Sequence, residues 1–345
     1  MKFLVLLCFA CFSTLSAAAE GKEALRILTW EEYFAPEMAS LFESETGAQL
    51  EFIYYDNDEV RDQIMAESSG FGFDVILVDE VELPAYIRQQ WVQPIAENTL
   101  PYLKDHGTTW RNIVPEAVGF AVPYGWGTYG LLYREDLVEN PPSKWADLFN
   151  PDNELAGFIQ MTPQSAEMLA IALMAHGYPP NAHDPAALKV AEQALIAQKP
   201  LVKAYKTTDY DEDSNLLNKG IVKVTVCYSS DAVVLQEEFE HFQYVSPMEG
   251  NIFWIDFWAI SAKSTQPDLA VQFLNFTMRP DVIAENVEYQ YTATFSQTAL
   301  TLIPDEIRQN KAVFPSLAEG FTTLGEPDRN SIRTMMKIIN ALELE

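Results

Sequence analysis

LRILTWEEYFAPEMASLFESETGAQLEFIYYDNDEVRDQIMAESSGFGFDVILV, residues 25–78, decides the fold class. Leu25 to Thr29 is short and largely apolar and reads as a strand. Pro36 to Thr46 opens on a proline suited to a first helical turn, carries Met38, Leu41 and Phe42 at helical spacing, and stops at Gly47. Gln49 to Tyr55 is β-rich, Asp58 to Ser68 is helical, and Phe73 to Val78 is a near-continuous apolar run suited to a strand buried on both faces. The order β-α-β-α-β implies a parallel sheet wrapped by helices, because parallel neighbours need a long crossover. Such sheets take ligands beyond the carboxyl ends of their strands. Trp30 to Tyr33, Tyr55 to Asp58 and Asp79 to Glu82 are therefore the segments in which to seek a site.

Downstream, Phe120 to Tyr124 reads as a short apolar strand whose Pro123 suits a crossover into a second α/β unit. There, Lys144 to Phe149, Ser165 to His176, Pro185 to Ala197 and Ser214 to Asn218 read as helices, and Phe158 to Met161 and Val222 to Tyr228 as strands. Gly250 to Ile260 (GNIFWIDFWAI) is again an aromatic strand, Leu269 to Thr277 a helix, and Pro280 follows it. A chain that leaves one α/β lobe and returns late has the organisation of a two-lobed clamp closing on a ligand. No internal repeat or low-complexity tract interrupts it.

The chain has 345 residues with a formal charge of −28, 48% hydrophobic and 12% aromatic residues. That is too apolar for a disordered acidic tail and too acidic for a general nucleic-acid binder. At the N-terminus, Lys2, the apolar run Phe3 to Phe12 and the small residues Ala17-Ala18-Ala19 form the three parts of a secretory signal peptide, with cleavage expected after Ala19. The run is too short to span a bilayer. Cys8 and Cys11 leave with the signal, so the remaining Cys227 has no internal disulfide partner and reads as core. The expected localisation is the periplasm.

No nucleophile-elbow, zinc-protease, P-loop or dinucleotide motif is present, and the four His at 106, 176, 183 and 241 lie at no metal-ligand spacing. Neither a catalytic centre, a resident metal nor a cofactor is expected. What stands out is aromatic residues beside acids at strand ends: Trp30-Glu31-Glu32-Tyr33, Tyr54-Tyr55-Asp56, Tyr228-Ser229-Ser230-Asp231 and Phe253-Trp254-Ile255-Asp256. Singly, each is ordinary core aromatic plus surface acid. Four at the same kind of position suit an organic cation with an apolar spine, its ammonium heads on carboxylates and its methylenes on aromatic faces, which add roughly 0.5–2 kcal/mol of cation–π attraction.

At these segments the chain resembles the periplasmic spermidine/putrescine-binding proteins of ABC importers. The similarity covers nearly all of the sequence after the signal. It is carried by ILTWEEYFAPEMASLFESETGAQL (27–50), FDVILV (73–78), VPYGWGT (122–128), KWADLFNP (144–151), GNIFWIDFWAI (250–260) and NFTMRPDV (275–282). Single motifs such as W-x-x-Y are weak; their order and spacing are specific.

The resemblance implies an α/β, two-lobed periplasmic-binding-protein fold of type II, the venus-flytrap, with a central sheet in each lobe and a hinge. The expected division is residues 1–19 as signal, 20–121 plus 252–294 as first lobe, and 122–251 plus 295–345 as second. It implies Trp30 and Tyr33 as first-lobe aromatics on the polyamine chain, with Glu31 beside them. Tyr228 stands where the family usually has Trp, and Trp254 and Asp256 form its W-x-D motif, in which the Asp binds an amine. Glu167 matches the second-lobe acid, Asp231 an acid of the putrescine-preferring branch, and either Tyr289 or Tyr291 the late-hinge Tyr.

Asp79 departs from a usual Ser, Val81 from a common aromatic, and Gln164 from an acid of the spermidine-preferring branch. Acids at 31, 32, 79, 167, 231 and 256 exceed what a diamine needs, which points to spermidine or a related triamine. The implied partners are that ligand and an inner-membrane ABC permease, with the protein a monomer. Three alternatives stand beside this reading. One is a polyamine sensor signalling to a membrane protein, as in biofilm control; the others are a ferric-ion receptor using Tyr289 and Tyr291, and a secreted glycoside hydrolase using two cleft carboxylates.

Overall fold

Residues 24–150, 154–315 and 322–344 are described by the computed structural model; the expected signal peptide lies outside them. Strands β1 (Ala24–Thr29), β2 (Gln49–Tyr54) and β3 (Val75–Asp79) alternate with helices Pro36–Thr46 and Asp58–Ser68. β1 pairs in parallel with both β2 and β3. The βαβαβ unit is thus the one the sequence implies, because its helices and strands differ in hydrophobic period and are separated by sharp stops. Gly47 ends the first helix with φ 77°, a left-handed conformation that costs glycine nothing.

β4 (Ala121–Arg134) is the chief departure from expectation, being one 14-residue strand rather than a short crossover. Pro123 does not end it, because the ladder shifts register between Pro123 and Gly125, where the missing N–H does no harm. β5 (Ile159–Met161), β6 (Val202–Tyr205), β7 (Val224–Tyr228) and β8 (Phe242–Val245) follow, and β9 (Ile252–Ile260) returns. The strand order is β2-β1-β3-β9-β4-β7-β5-β6, with β8 on β4.

β4 and β9 carry the chain between lobes. β9 pairs antiparallel with β3 on one edge and with β4 on the other, while the far half of β4 pairs with β7 and β8. The cores divide accordingly. One is built from β1, β3 and β9 residues with Phe42, Trp110 and Phe273, and another from Leu131, Trp145, Ile159, Leu173 and Val226. Cys227 is buried in a third small group with Leu132 and Leu235, as expected of a core thiol.

Several helices were not legible. Pro280 follows the helix that ends at Thr277, as expected, but also opens a further helix, Pro280–Gln290, at its first turn, where proline is tolerated. Ser229–Glu238 and Arg329–Leu342 are helical as well, the latter capped by the Asp328 carboxylate accepting from Asn330 and Ser331 amides. Residues 214–218 form turns rather than the expected helix, held by Asp211 and Asn215 side chains that accept local backbone N–H groups. Among the described residues no helix is long and apolar enough to cross a membrane.

Candidate functional site

The carboxyl ends of β1, β2 and β3 meet the middle of β9, and this junction gathers most of the expected residues. Trp30 follows β1 and lies with its ring centroid 4.6 Å from that of Tyr55, tilted by 59°. Glu31 and Glu32 are exposed. Tyr33 turns back toward β9, and its hydroxyl donates to Asp256 Oδ2 at 2.5 Å. The turn is fixed from behind, since the Tyr33 carbonyl accepts from the Tyr124 hydroxyl at 2.8 Å and from Gln290 Nε2 at 2.6 Å.

Asp256 is 7% exposed. Burial pushes its carboxyl up to about 7 and the neighbouring Asp79 charge adds to this, against the Tyr33 hydrogen bond and Arg61. Two residues earlier on β9, and so on the same face, Trp254 stands edge-on to Tyr228, centroids 6.1 Å apart. Gly127 makes room for that indole: a Cβ there would come within 2.4 Å of Trp254 Cζ2. Gly127→Ala is expected to displace the ring and cost about 1–3 kcal/mol, read as a fall in Tm with altered tryptophan emission.

The second lobe contributes Glu167 from helix Ser165–Ala175. It accepts from the Tyr129 hydroxyl at 2.9 Å, and that hydroxyl lies 2.8 Å from the Tyr228 hydroxyl. Burial pushes Glu167 up to about 7, with the charges of Glu59 and Asp79 in the same direction. Asp231, in the first turn of helix Ser229–Glu238, is held by the Tyr210 and Ser230 hydroxyls, and burial raises it to about 6. A small cavity joins it to Tyr228, Gln164, Thr162 and Thr208.

Asp79 is differently placed. It stands opposite Asp256 in the β3–β9 ladder, where two like charges would repel. Its Oδ2 instead accepts from Arg61 Nη1 at 2.8 Å. Burial opposes the charged form of Asp79, and the Arg61 guanidinium overrides it, holding the carboxyl down to about 2. Tyr291 is also elsewhere. It caps helix Pro280–Gln290, donates to Glu237 Oε1 at 2.6 Å and packs against the cluster of Val233, Ile283 and Ile303. Tyr289 is exposed. The residue of this segment that reaches the junction is Gln290.

Asp58, Arg61, Tyr129 and Gln290 were not singled out in sequence. Asp58 closes the Tyr55–Asp58 segment, and Arg61 follows at i, i+3, one helical turn on, so that spacing was the available signal.

A family model described as bacterial extracellular solute-binding protein matches residues 37–315. The chain belongs to that family. The norspermidine sensor of Vibrio cholerae is 27% identical over 329 residues, 92% of this chain and 88% of the relative. The putrescine-binding periplasmic protein PotF of Escherichia coli is 29% identical, over 86% of this chain and 84% of the relative. In structure, the spermidine/putrescine ABC transporter substrate-binding protein PotD of Streptococcus pneumoniae superposes with a TM-score of 0.81 at 25% identity, covering 93% of this chain and 99% of that one.

At the junction of this solute-binding protein, buried carboxylates lie among aromatic rings. Asp256 and Glu167 take hydrogen bonds from tyrosine hydroxyls rather than from cations. Burial raises both carboxyls, and the tyrosine hydrogen bonds offset it only in part.

Proposed function

We propose that this protein is an exported receptor that captures a polyamine between its lobes. The observation that carries the reading is the pair Asp256 and Glu167, buried, in no ion pair with a cation among the described residues, and set among Trp254, Tyr228, Tyr33 and Tyr129. An ammonium group supplies the missing charge, and methylenes supply apolar surface for the rings. An anion would meet carboxylates at every wall. Relatives named for spermidine, putrescine and norspermidine support the same ligand class. These two buried acids come one from each lobe, so a ligand bridging them favours the closed form.

The expectation of a triamine counted Asp79 and both Glu31 and Glu32. With Asp79 paired to Arg61 and the two glutamates exposed, the acids left are Glu167, Asp231 and Asp256. The occupied receptor then serves an inner-membrane ABC permease; the Vibrio cholerae relative favours signalling to a membrane partner as the second reading. An iron receptor gains no support from Tyr291, which burial and Glu237 push up to about 12, away from the tyrosinate a ferric ion needs.

Calorimetric titration of the processed protein with putrescine, spermidine, norspermidine and spermine tests the proposal. At least one is expected to bind at micromolar concentration or below. No heat from any of them, with the protein folded, would overturn it.

A further inference from the structure

The first-lobe wall contains a cation of its own. Arg61, on helix Asp58–Ser68, is 1% exposed in its side chain, and each of its guanidinium nitrogens is engaged. Nε faces Asp62 Oδ1 at 3.2 Å and the Tyr86 hydroxyl at 3.3 Å. Nη1 reaches Asp79 at 2.8 Å and Asp58 at 2.7 Å, and Nη2 reaches Asp62 at 3.2 Å and Glu82 at 3.4 Å. A guanidinium has five N–H donors, so none is left over for an anionic solute. The guanidinium carbon also lies 5.6 Å from the centroid of the Tyr55 ring, the ring that packs on Trp30.

This surrounding is the same chemistry as the candidate site: carboxylates and aromatic faces, those of Tyr55 and Tyr86, around a buried position. It borders that site as well. Asp79 is Asp256's partner across the ladder, and the charge of Asp58 bears on Tyr228 and that of Asp79 on Glu167, both in the second lobe.

We infer that Arg61 is a built-in substitute for a ligand ammonium: its guanidinium fills the cation position formed by Asp58, Asp79 and Tyr55, so the cleft selects an amine with one positive charge fewer than its carboxylates would otherwise accept. The inference rests on the polyamine reading and deepens it. Arg61 is then a specificity residue, and the preferred ligand is a diamine of the putrescine type. Asp79 serves as the counter-ion of Arg61 rather than as a ligand contact.

Titration of putrescine and spermidine into the wild type, Arg61→Ala and Arg61→Leu/Asp79→Asn tests this. In the wild type putrescine is expected to bind the tighter. In Arg61→Ala the vacated position accepts a further ammonium, and the spermidine-to-putrescine affinity ratio is expected to rise by about tenfold or more, the scale of a buried charge contact. In the double variant the Asp79 charge goes with the Arg61 charge it balanced, so the net charge of the socket matches wild type, and the ratio is expected to return to within about threefold of wild type. Should Arg61→Ala not fold, Arg61→Gln, which keeps amide donors for Asp79, carries the same expected direction. A salt bridge with a purely structural role would lower Tm in the single variants and leave the ratio unchanged; that result overturns the inference while the polyamine reading stands. Binding of neither amine, nor of norspermidine or spermine, by the wild type removes the polyamine reading and this inference with it.

Discussion

Asp256→Asn is expected to weaken polyamine binding by about 100-fold or more while leaving the protein folded. Truncating one member of a buried, hydrogen-bonded charge pair costs roughly 2–5 kcal/mol, and each 1.4 kcal/mol is about a factor of ten. Asp256 is suited to the larger end of that range because it is buried and its side-chain hydrogen bond among the described residues comes from Tyr33, which brings no charge. An asparagine keeps an oxygen for that hydroxyl, so the fold loses little; removing a carboxylate held at about 7 even relieves repulsion with Asp79 above neutrality. Stability of the unliganded variant at pH 8 should therefore match or exceed wild type. Tyr291→Phe is the control, since Tyr291 bonds to Glu237 away from the junction, and its affinity should stay within about threefold of wild type.

The second large effect is on pH. Asp256 and Glu167 are pushed up to about 7, and Asp231 to about 6, in each case by burial first. Alkyl ammonium groups resembling lysine, at about 10.4, remain charged throughout this range. A carboxyl near 7 is about one-tenth ionised at pH 6 and about nine-tenths at pH 8, so affinity should climb roughly tenfold for each such group, approaching a hundredfold for two. Binding at pH 7 should release protons, visible as a buffer-dependent heat. The unliganded protein should behave in the opposite sense. A carboxyl raised in the folded state above its unfolded value near 4 binds extra protons on folding, so the stability it contributes is complete below about pH 4 and is lost as pH rises through about 7. Asp79, held at about 2, contributes in the usual acid direction: its stabilisation by Arg61 is present above about pH 4 and is lost as pH falls toward 2. Ligand-saturated and empty protein should thus diverge in Tm as pH rises from 6 to 8. Affinity that is flat across that range would remove Asp256 and Glu167 from the ligand contacts.

How far the sequence reaches is uneven, for physical reasons. The βαβαβ unit and the aromatic strand β9 are local patterns, so they can be read from periodicity and stop signals. β4 could not be read at full length, because Pro123, Gly125 and Gly127 look like terminators. In the folded chain they form a register shift and a seat for Trp254. Helix Pro280–Gln290 was hidden by the same ambiguity, a proline that ends one element and begins the next.

At the site, Trp30, Tyr33, Glu167, Tyr228, Asp231, Trp254 and Asp256 were all nominated from sequence, and they cluster about the lobe junction. Arg61 was not, and its i, i+3 spacing from Asp58 marks an ion pair but not burial. A lone arginine among acids on an amphipathic helix reads as a solvated charge. Its burial depends on acids delivered together by the helix it sits on, by the end of β3 and by the segment after it. That convergence also changes what Asp79 means, from an extra ligand carboxylate to the partner of an internal cation.

The net charge of −28 gives long-range attraction for polycations but does not choose among them. On the proposed reading the choice falls to a few buried carboxylates and to which of them the protein has already satisfied.

A crystal structure of the protein with putrescine bound tests the central claim most directly. The account predicts an extended diamine between the lobes, one ammonium on Asp256, the methylenes against Trp254 and Tyr228, and Arg61 still paired with Asp79. Putrescine bound to Asp79 with Arg61 displaced, or bound away from Asp256 and Glu167 altogether, would contradict it.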